Sequence, residues 1–398
     1  MTLERISLVA ITGTLLVAGV AVAIPGWFAG LSITGLELLQ LTLWVTTGLF
    51  AATALLWVGL TYVVGAGYEP PAPVHGGEDV QVRILTVDAA DVVQETVDSL
   101  PAELDDRHVV SEGPMDVEGA TVHVVPDEFD CEAVRKGRAI EWARRTLDCD
   151  REFVLYLDED SLVESFEGLP DADVVQLRER PRRTDSVLTY LADVYRMGVQ
   201  FEQRAFARLR IPLFAWGGGI AVRAELEDAV TWDRETLVED TAFVWAAATQ
   251  FDVEFALARA TCRNQAPPTL GEIVQQRRRW AAGNLQAASM LPTRYRILTR
   301  VRNVAWALSP VVSLVAVPLA FLGVTIVYGG LFVLTSVLLA VFTGLWYLLG
   351  VGHYGSRGVT LALALPLAPM VTVVHSLGTV LGILLPPEDF RVTEKVGP

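Results

Sequence analysis

Long apolar runs and short alternating ones divide the chain. Ile6 to Ile24 and Leu38 to Tyr68 contain no Asp, Glu, Lys, Arg or His, and each is long enough to cross roughly 30 Å of hydrocarbon as a helix. A second apolar block runs from Asn303 to Ser356 with His353 as its one possible charge. It breaks near Tyr328, Gly329 and Gly330 and resumes from Gly358 to Pro387, beyond Arg357. The pattern predicts two membrane spans before a polar middle and three after it. In that middle the period shortens. Val80 to Val87, Arg107 to Ser111, Ala120 to Val125, Glu152 to Leu157 and Asp173 to Leu177 read as strands, and Ala89 to Leu100, Cys131 to Leu147 and Asp185 to Leu209 as helices. Strands alternating with helices predict an α/β domain, a mostly parallel sheet covered on both faces, with ligands at the carboxyl ends of its strands.

The predicted organisation is therefore two transmembrane helices over residues 1–69, a Pro- and Gly-rich linker over 70–79, a folded domain over 80–295, about three spans over 303–387 and a tail over 388–398. Arg5 precedes the first span, Arg300 and Arg302 precede the third, and the Pro25 to Glu37 loop has no Lys or Arg. The positive-inside rule then places the amino terminus and the folded domain in the cytoplasm of a multi-pass cell-membrane protein. A cleavable signal peptide is the alternative for the first segment, but a second span follows at once. Five spans would put Arg391 and Lys395 of the tail outside, against the same rule.

Charge changes this picture at one place. The 398 residues carry a formal charge of −16, and Lys136 is the only lysine between Gly76 and Arg302. An acidic, arginine-using surface stays hydrated at high ionic strength and fits a salt-loving host; nucleic acid is not an expected partner. Cys131, Cys149 and Cys262 have neither metal-site spacing nor an even count for a disulfide framework. Against this background "QQRRRW", Gln275 to Trp280, concentrates positive charge just before the second apolar block. Gln-x-x-Arg-Trp should arise by chance roughly 0.02 times in such a composition. Gln276, Arg279 and Trp280 are i, i+3 and i+4 and share a helix face, while Arg277 and Arg278 point elsewhere. A guanidinium there can meet phosphate in bidentate fashion and the indole can wall a pocket. The other reading is a basic interfacial helix, near residues 270–290, resting on anionic membrane lipid.

Three further stretches carry chemistry. Asp-x-Asp occurs at Asp148/Asp150, Asp158/Asp160 and Asp171/Asp173, but only Asp158/Asp160 directly follows a buried strand, where two carboxylates can hold Mg²⁺ or Mn²⁺ against a diphosphate. An acidic surface turn is the plain alternative. Gly217, Gly218 and Gly219 after Trp216 allow close backbone approach to a ligand, or simply a sharp turn. Glu239 and Asp240 open a predicted helix, where carboxylates are stabilised by unpaired amides whether or not they react.

Taken in order, Asp158-x-Asp160, Trp216 to Gly219, Glu239-Asp240 and Gln276-x-x-Arg279-Trp280, between apolar blocks, resemble the membrane-integrated family 2 glycosyltransferases of GT-A fold. "PLFAW", "VED" and "QQRRRW" look most like the egghead-type β-1,4-mannosyltransferases. The resemblance implies a Rossmann-like, mostly parallel sheet. It implies inverting transfer of a sugar, mannose from GDP-mannose or a sugar from a UDP donor, to a lipid-linked or glycolipid acceptor. It assigns metal binding to Asp158 and Asp160. Donor diphosphate binding falls to Lys136, Arg138, Asp158, Gln276 and Arg279. Base catalysis falls to Asp240 beside Glu239, and the acceptor pocket to Trp216, Gly217, Gly218, Gly219 and Trp280. A processive polysaccharide synthase of the cellulose or hyaluronan type shares these motifs, and a non-catalytic nucleotide-sugar receptor would be expected to lose the carboxylates that are intact here. "RILTVDAADVV" and Ser111-Glu112 depart from the family's usual nucleotide-binding turns.

Overall fold

The computed structural model describes residues 35–183, 186–355 and 358–387. The expected span at Ile6 to Ile24 and the tail over 388–398 lie outside them. Helix α1, Gly35–Gly59, runs into a π-turn at Leu60–Val64. The domain then follows the predicted alternation: β1 Val80–Thr86, α2 Ala90–Ser99, β2 Asp106–Ser111, β3 Thr121–Val124, α3 Lys136–Thr146, β4 Phe153–Asp158, β5 Leu162–Ser165 and β6 Val174–Glu179. After these come α4 Val187–Gln200, β7 Ile220–Arg223, α5 Ala224–Val230, α6 Glu239–Gln250, β8 Phe255–Arg263 and α7 Leu270–Ala287.

The eight strands form one mixed sheet in the order β3-β2-β1-β4-β7-β6-β8-β5. Four of its seven pairings are parallel; β7 runs against both β4 and β6, and β5 against β8. The period-2 alternation of the central strands builds two cores. Phe153, Leu155 and Leu157 of β4 pack with Val93 and Val97 of α2 on one face, while Val154 and Tyr156 pack with Ile140 of α3 and Phe243 of α6 on the other. All seven residues of β1 are buried, as a strand covered on both faces requires. The carboxyl ends of β1 and β4 lie side by side and leave the rim open.

Two expected helices differ. The helix expected from Cys131 begins at Lys136, because the chain turns through Arg135 at φ +56°, a conformation no helix continues from. The helix expected from Asp185 to Leu209 stops at Gln200 and tightens into 3₁₀ turns over Phe201–Arg208.

Helices α8 Thr293–Phe321, α9 Gly329–His353 and α10 Gly358–Leu384 complete the chain. Four helices among the described residues are long and apolar enough to cross a membrane: Leu36–Val64, Thr293–Phe321, Gly329–His353 and Ala362–Leu384. Their outer faces carry bare aliphatic side chains such as Val333, Leu334, Val337 and Val341. Far from the domain, Gln40 and Trp44 of α1 hydrogen-bond the backbone of the turn between α8 and α9 at Thr325 and Val327, satisfying polar groups that hydrocarbon would leave unpaired. The domain sits directly on these helices. Gly198 of α4 meets the Trp346 carbonyl of α9, Gly350 of α9 meets the Val194 carbonyl of α4, and neither crossing has room for a side chain.

Candidate active site

The turn after β4 sorts its three acids by role. Asp158 leaves the strand pointing at α3, where its Oδ1 accepts from Lys136 Nζ at 2.6 Å. Glu159 turns back into the fold: it is 7 % exposed, its Oε2 accepts from Thr86 Oγ1 at 2.7 Å and its carbonyl accepts from Thr96 Oγ1 at 2.6 Å. It fastens the turn to β1 and α2. Asp160 is buried and its Oδ2 accepts from the Gln265 backbone N–H at 2.7 Å. All three acids line one cavity, with Glu159 committed to the Thr86 hydroxyl.

That cavity, of about 860 Å³, is lined by Lys136, Arg138, Asp158, Asp160, Trp216, Gly217, Gly218, Glu239, Asp240, Gln276, Arg279 and Trp280, all of them expected site residues. Gly219 is not among its walls; it packs on Leu177 and Cys262 and its carbonyl accepts from Gln176 and Leu177. The amino terminus of α3 and that of α6 both open on the cavity without a side-chain cap, so their unpaired amides favour negative charge there.

Gly217 shows how tightly the groups converge. A methyl group on it would stand 2.8 Å from Lys136 Nζ, 3.2 Å from Asp240 Oδ2 and 3.9 Å from Asp158 Oδ1. Lys136 also lies 3.2 Å from Glu239 Oε1. Burial alone would pull its ammonium down, but Asp158, Glu239 and Asp240 outweigh burial and hold it above the ordinary lysine value. Asp240 moves the other way: burial, then the charge of Glu239, push its carboxyl up to about 8 against the pull of Lys136 and of the Thr241 amide, which donates to Oδ1 at 2.6 Å. For Arg279 burial lowers the pKa, with Glu239, Asp158 and Asp240 opposing, so the guanidinium shares the same electrostatic neighbourhood. Arg138 is already engaged, donating to Glu112 at 3.0 Å and to the Phe129 carbonyl at 3.1 Å.

The arginine triplet divides differently from expectation. Arg278 points away, donating to the Leu385 and Pro386 carbonyls at the end of α10, a favourable place for a cation. Arg277 does not: it is 6 % exposed, lines the cavity, donates to His375 Nδ1 at 3.0 Å and to Gln276 Oε1 at 2.7 Å, and lies 4.2 Å from the Trp280 ring centre. Helix α7 is pressed against α10, so its i+1 side chain is trapped between them. Burial, followed by Arg196, draws Arg277 down to about 9 despite Asp193 and Glu179.

Sequence reasoning missed the framework behind Trp216. Arg196 of α4 lies over the Trp216 ring at 4.9 Å and the Trp280 ring at 5.9 Å, and donates to Glu179 at 2.9 Å. Glu179 also accepts from the Gly218 amide at 3.2 Å and from Asn264 at 3.1 Å, while Gln176 accepts from the Trp216 amide and donates to its carbonyl, both at 2.9 Å. The sequence offered only a weak signal for this framework, since Gln176 and Glu179 share the polar second half of β6 with Arg178.

The donor set fits a hard cation. Among the described residues no three His, Cys, Asp or Glu groups come together as a metal cage. Asp158 and Asp160 supply carboxylate oxygens, which suits Mg²⁺ or Mn²⁺, ions that complete their shells with water and substrate phosphates. Beyond the charged end the cavity continues among the long apolar helices, lined by Phe50 and Trp57 of α1, Trp306 of α8 and Trp346 of α9.

This geometry has relatives. A family model described as glycosyl transferase family group 2 matches residues 153–352, half of the chain. Beta-1,4-mannosyltransferase bre-3 of Caenorhabditis elegans is 28% identical over 137 residues, a match spanning 32% of this chain and 30% of that protein. Among solved structures, the mannosyltransferase PcManGT from Pyrobaculum calidifontis in complex with GDP-Man and Mn²⁺ covers 95% of this chain and 99% of its own at a TM-score of 0.50 and 14% identity. Glucosyl-3-phosphoglycerate synthase from Mycobacterium tuberculosis is a looser likeness, covering 59% of this chain and 85% of its own at a TM-score of 0.35 and 15% identity. With the mixed sheet, the rim of carboxylates at its strand ends and the matched half of the sequence in hand, the chain belongs to glycosyl transferase family group 2.

Proposed function

We propose that the protein is an inverting, metal-dependent glycosyltransferase that moves mannose from GDP-mannose to a lipid-linked or glycolipid acceptor at the cytoplasmic face of the cell membrane. One observation carries this reading: a single cavity joins a carboxylate-and-cation end, built on the strand rim, to an aromatic end built from membrane helices. The likeness to a β-1,4-mannosyltransferase and to a structure holding GDP-Man and Mn²⁺ supports the choice of donor.

In this reading Asp158 and Asp160 hold a divalent cation, Mg²⁺ or Mn²⁺, which supplies neutralising charge to the donor diphosphate. Lys136 and Arg279 add positive charge on the same diphosphate, and the open amino terminus of α3 adds oriented amides. Asp240 takes the proton from the acceptor hydroxyl as that oxygen attacks the anomeric carbon. The bond from that carbon to the phosphate oxygen breaks on the opposite face, and the nucleoside diphosphate leaves with the electron pair, inverting the centre. Burial raises the proton affinity of this carboxyl, so in its ionised form, which the charge of Lys136 and a cation held near Asp158 favour, it is a stronger base than an ordinary aspartate. Trp216 and Trp280, braced through Arg196, present flat apolar faces to a sugar ring.

The test is incubation of membranes containing the protein with a panel of radiolabelled nucleotide sugars, with and without divalent cation. Label from GDP-mannose should enter the organic phase only with the cation. Label confined to long water-soluble polymer would instead favour a processive synthase, and transfer from none of the panel would defeat the reading.

A further inference from the structure

Some arginines of the domain face carboxylates, as Arg223 faces Asp171 and Arg145 faces Glu141 and Asp233, and others are held by backbone carbonyls, as Arg208 is by those of Val64 and Ala66. Arg178 and Arg204 have neither kind of partner among the described residues. Both are half-buried, and Arg178 Nε is buried without a hydrogen-bond partner. Burial, then the neighbouring charges of Arg204 and Arg180, lower the Arg178 pKa; burial does the same for Arg204. The one carboxylate in the cluster, Glu164, is shared between Arg180 and Arg263, so it leaves the group with net positive charge. Guanidiniums half-buried beside one another without a carboxylate each are costly unless something else compensates them.

The surroundings identify the compensating group. Arg178 and Arg180 form one wall of a basin of about 740 Å³, and Leu348, Leu349 and His353 from the last turns of α9 form the other, with Phe201 between them. Arg204 lies behind, 4.6 Å from the Phe201 ring centre. Leu348 is 52 % exposed on the outer face of the membrane helix. His353 is fixed against the domain by a 2.7 Å hydrogen bond to the Glu179 carbonyl, so this end of α9 marks where the helix leaves the hydrocarbon. Guanidiniums at the water side and leucines at the hydrocarbon side match a molecule with an anionic head and apolar chains.

We propose that this basin binds the phosphate headgroup of an anionic membrane phospholipid, with Arg178 and Arg180 at the phosphate, Arg204 adding positive charge from behind Phe201, and an acyl chain along Leu348 and Leu349. This basin is separate from "QQRRRW", whose Arg277 and Arg279 line the catalytic cavity and whose Arg278 bonds the end of α10. The site shares no lining residue with that cavity and does not depend on the proposed reaction.

The test uses the full chain in nanodiscs of phosphatidylcholine doped with phosphatidylglycerol, extracted into detergent and weighed by native mass spectrometry for retained lipid. The wild type should retain phosphatidylglycerol, and R178A/R204A should lose it by about tenfold, the effect of removing two interfacial cations. R278A, which removes a cation bonded to helix-end carbonyls, should retain it. If the double variant does not fold, the single substitution R178Q serves, with an expected loss of several-fold. Retention unchanged in both variants would overturn the proposal. Inorganic phosphate added alone separates the two sources of the anion: failure to displace the lipid supports a headgroup site, whereas displacement at millimolar phosphate would assign the basin to a soluble ligand and refute it.

Discussion

The two ends of the catalytic cavity are built on opposite principles. At the strand rim Lys136, Asp158 and Asp240 converge on Gly217, Glu239 reaches Lys136, and Arg279 feels the charge of the three carboxylates. At the membrane end Trp57, Trp306, Trp346 and Tyr195 pack ring against ring, with centroids 4.9 Å apart for Trp57 and Trp346 and 5.6 Å for Tyr195 and Trp306. The charged end is held by balance, so removing one charge alters its neighbours. The aromatic end is held by shape and responds to volume. Substitutions at the first should act on donor and chemistry, and at the second on acceptor alone. The largest effect belongs to Asp240. D240N keeps the size of the side chain and loses the base, so transfer should fall about a thousandfold or more while calorimetry still detects donor binding. Retained turnover would remove Asp240 from the role.

Next in size is Gly217. In G217A the new methyl would press on the Lys136 ammonium and the Asp240 carboxylate together, and kcat should drop about a hundredfold because two groups shift at once. An unchanged kcat would show that the rim has slack. D160A should then weaken cation-dependent donor binding by roughly 10- to 100-fold, measured by calorimetry with and without Mn²⁺. Equal affinities in the two conditions would show that Asp160 holds no metal.

How much of this was legible depended on the kind of signal. The strands and the βα alternation were plain because β1 alternates Val80, Val82 and Ile84 with polar Gln81 and Arg83, and β4 carries the apolar run Phe153 to Leu157. β8 was missed because three of its six buried positions, Ala256, Ala258 and Ala260, are small residues with weak strand preference that dilute the signal of Phe255, Leu257 and Cys262. At the site, Asp158 and Asp160 could be singled out because they follow a buried strand. Arg196, Glu179 and Gln176 could not, since their role is to brace Trp216 and Gly218 from elements that approach only in three dimensions. The fate of Arg277 was misjudged because helical geometry sorts faces, and it was α10, about a hundred residues later, that turned the i+1 face inward.

The aromatic end offers a smaller, cleaner break of the comparison. Thr53 of α1 lines the cavity beside Phe50 and Trp57 and is only half-buried. T53F adds volume without charge, so it should raise the KM for a lipid-linked acceptor by about tenfold and leave the donor Kd where it was. A change in donor affinity instead would mean that the two ends are not separable.

The smallest expected effect needs no substrate. With its carboxyl raised to about 8, Asp240 binds a proton in the folded protein throughout the range from about pH 4 to pH 8, while the unfolded chain, with an ordinary aspartate near 4, has released it. The folded state therefore holds more protons than the unfolded one, and stability conferred by that proton is present at low pH and lost as pH rises through that range. D240N cannot titrate, so it should lose this part of the slope and melt above the wild type at pH 8, by roughly 5 °C for a chain of this size. The variant would then be both more stable and inactive, as expected of a charge held buried for chemistry rather than for folding. Added Mn²⁺ should narrow the gap from the wild-type side, because a cation bound near Asp158 favours the ionised form of Asp240 and stabilises the folded protein by mass action. Parallel pH profiles of Tm for the two proteins would show that the raised carboxyl is not Asp240.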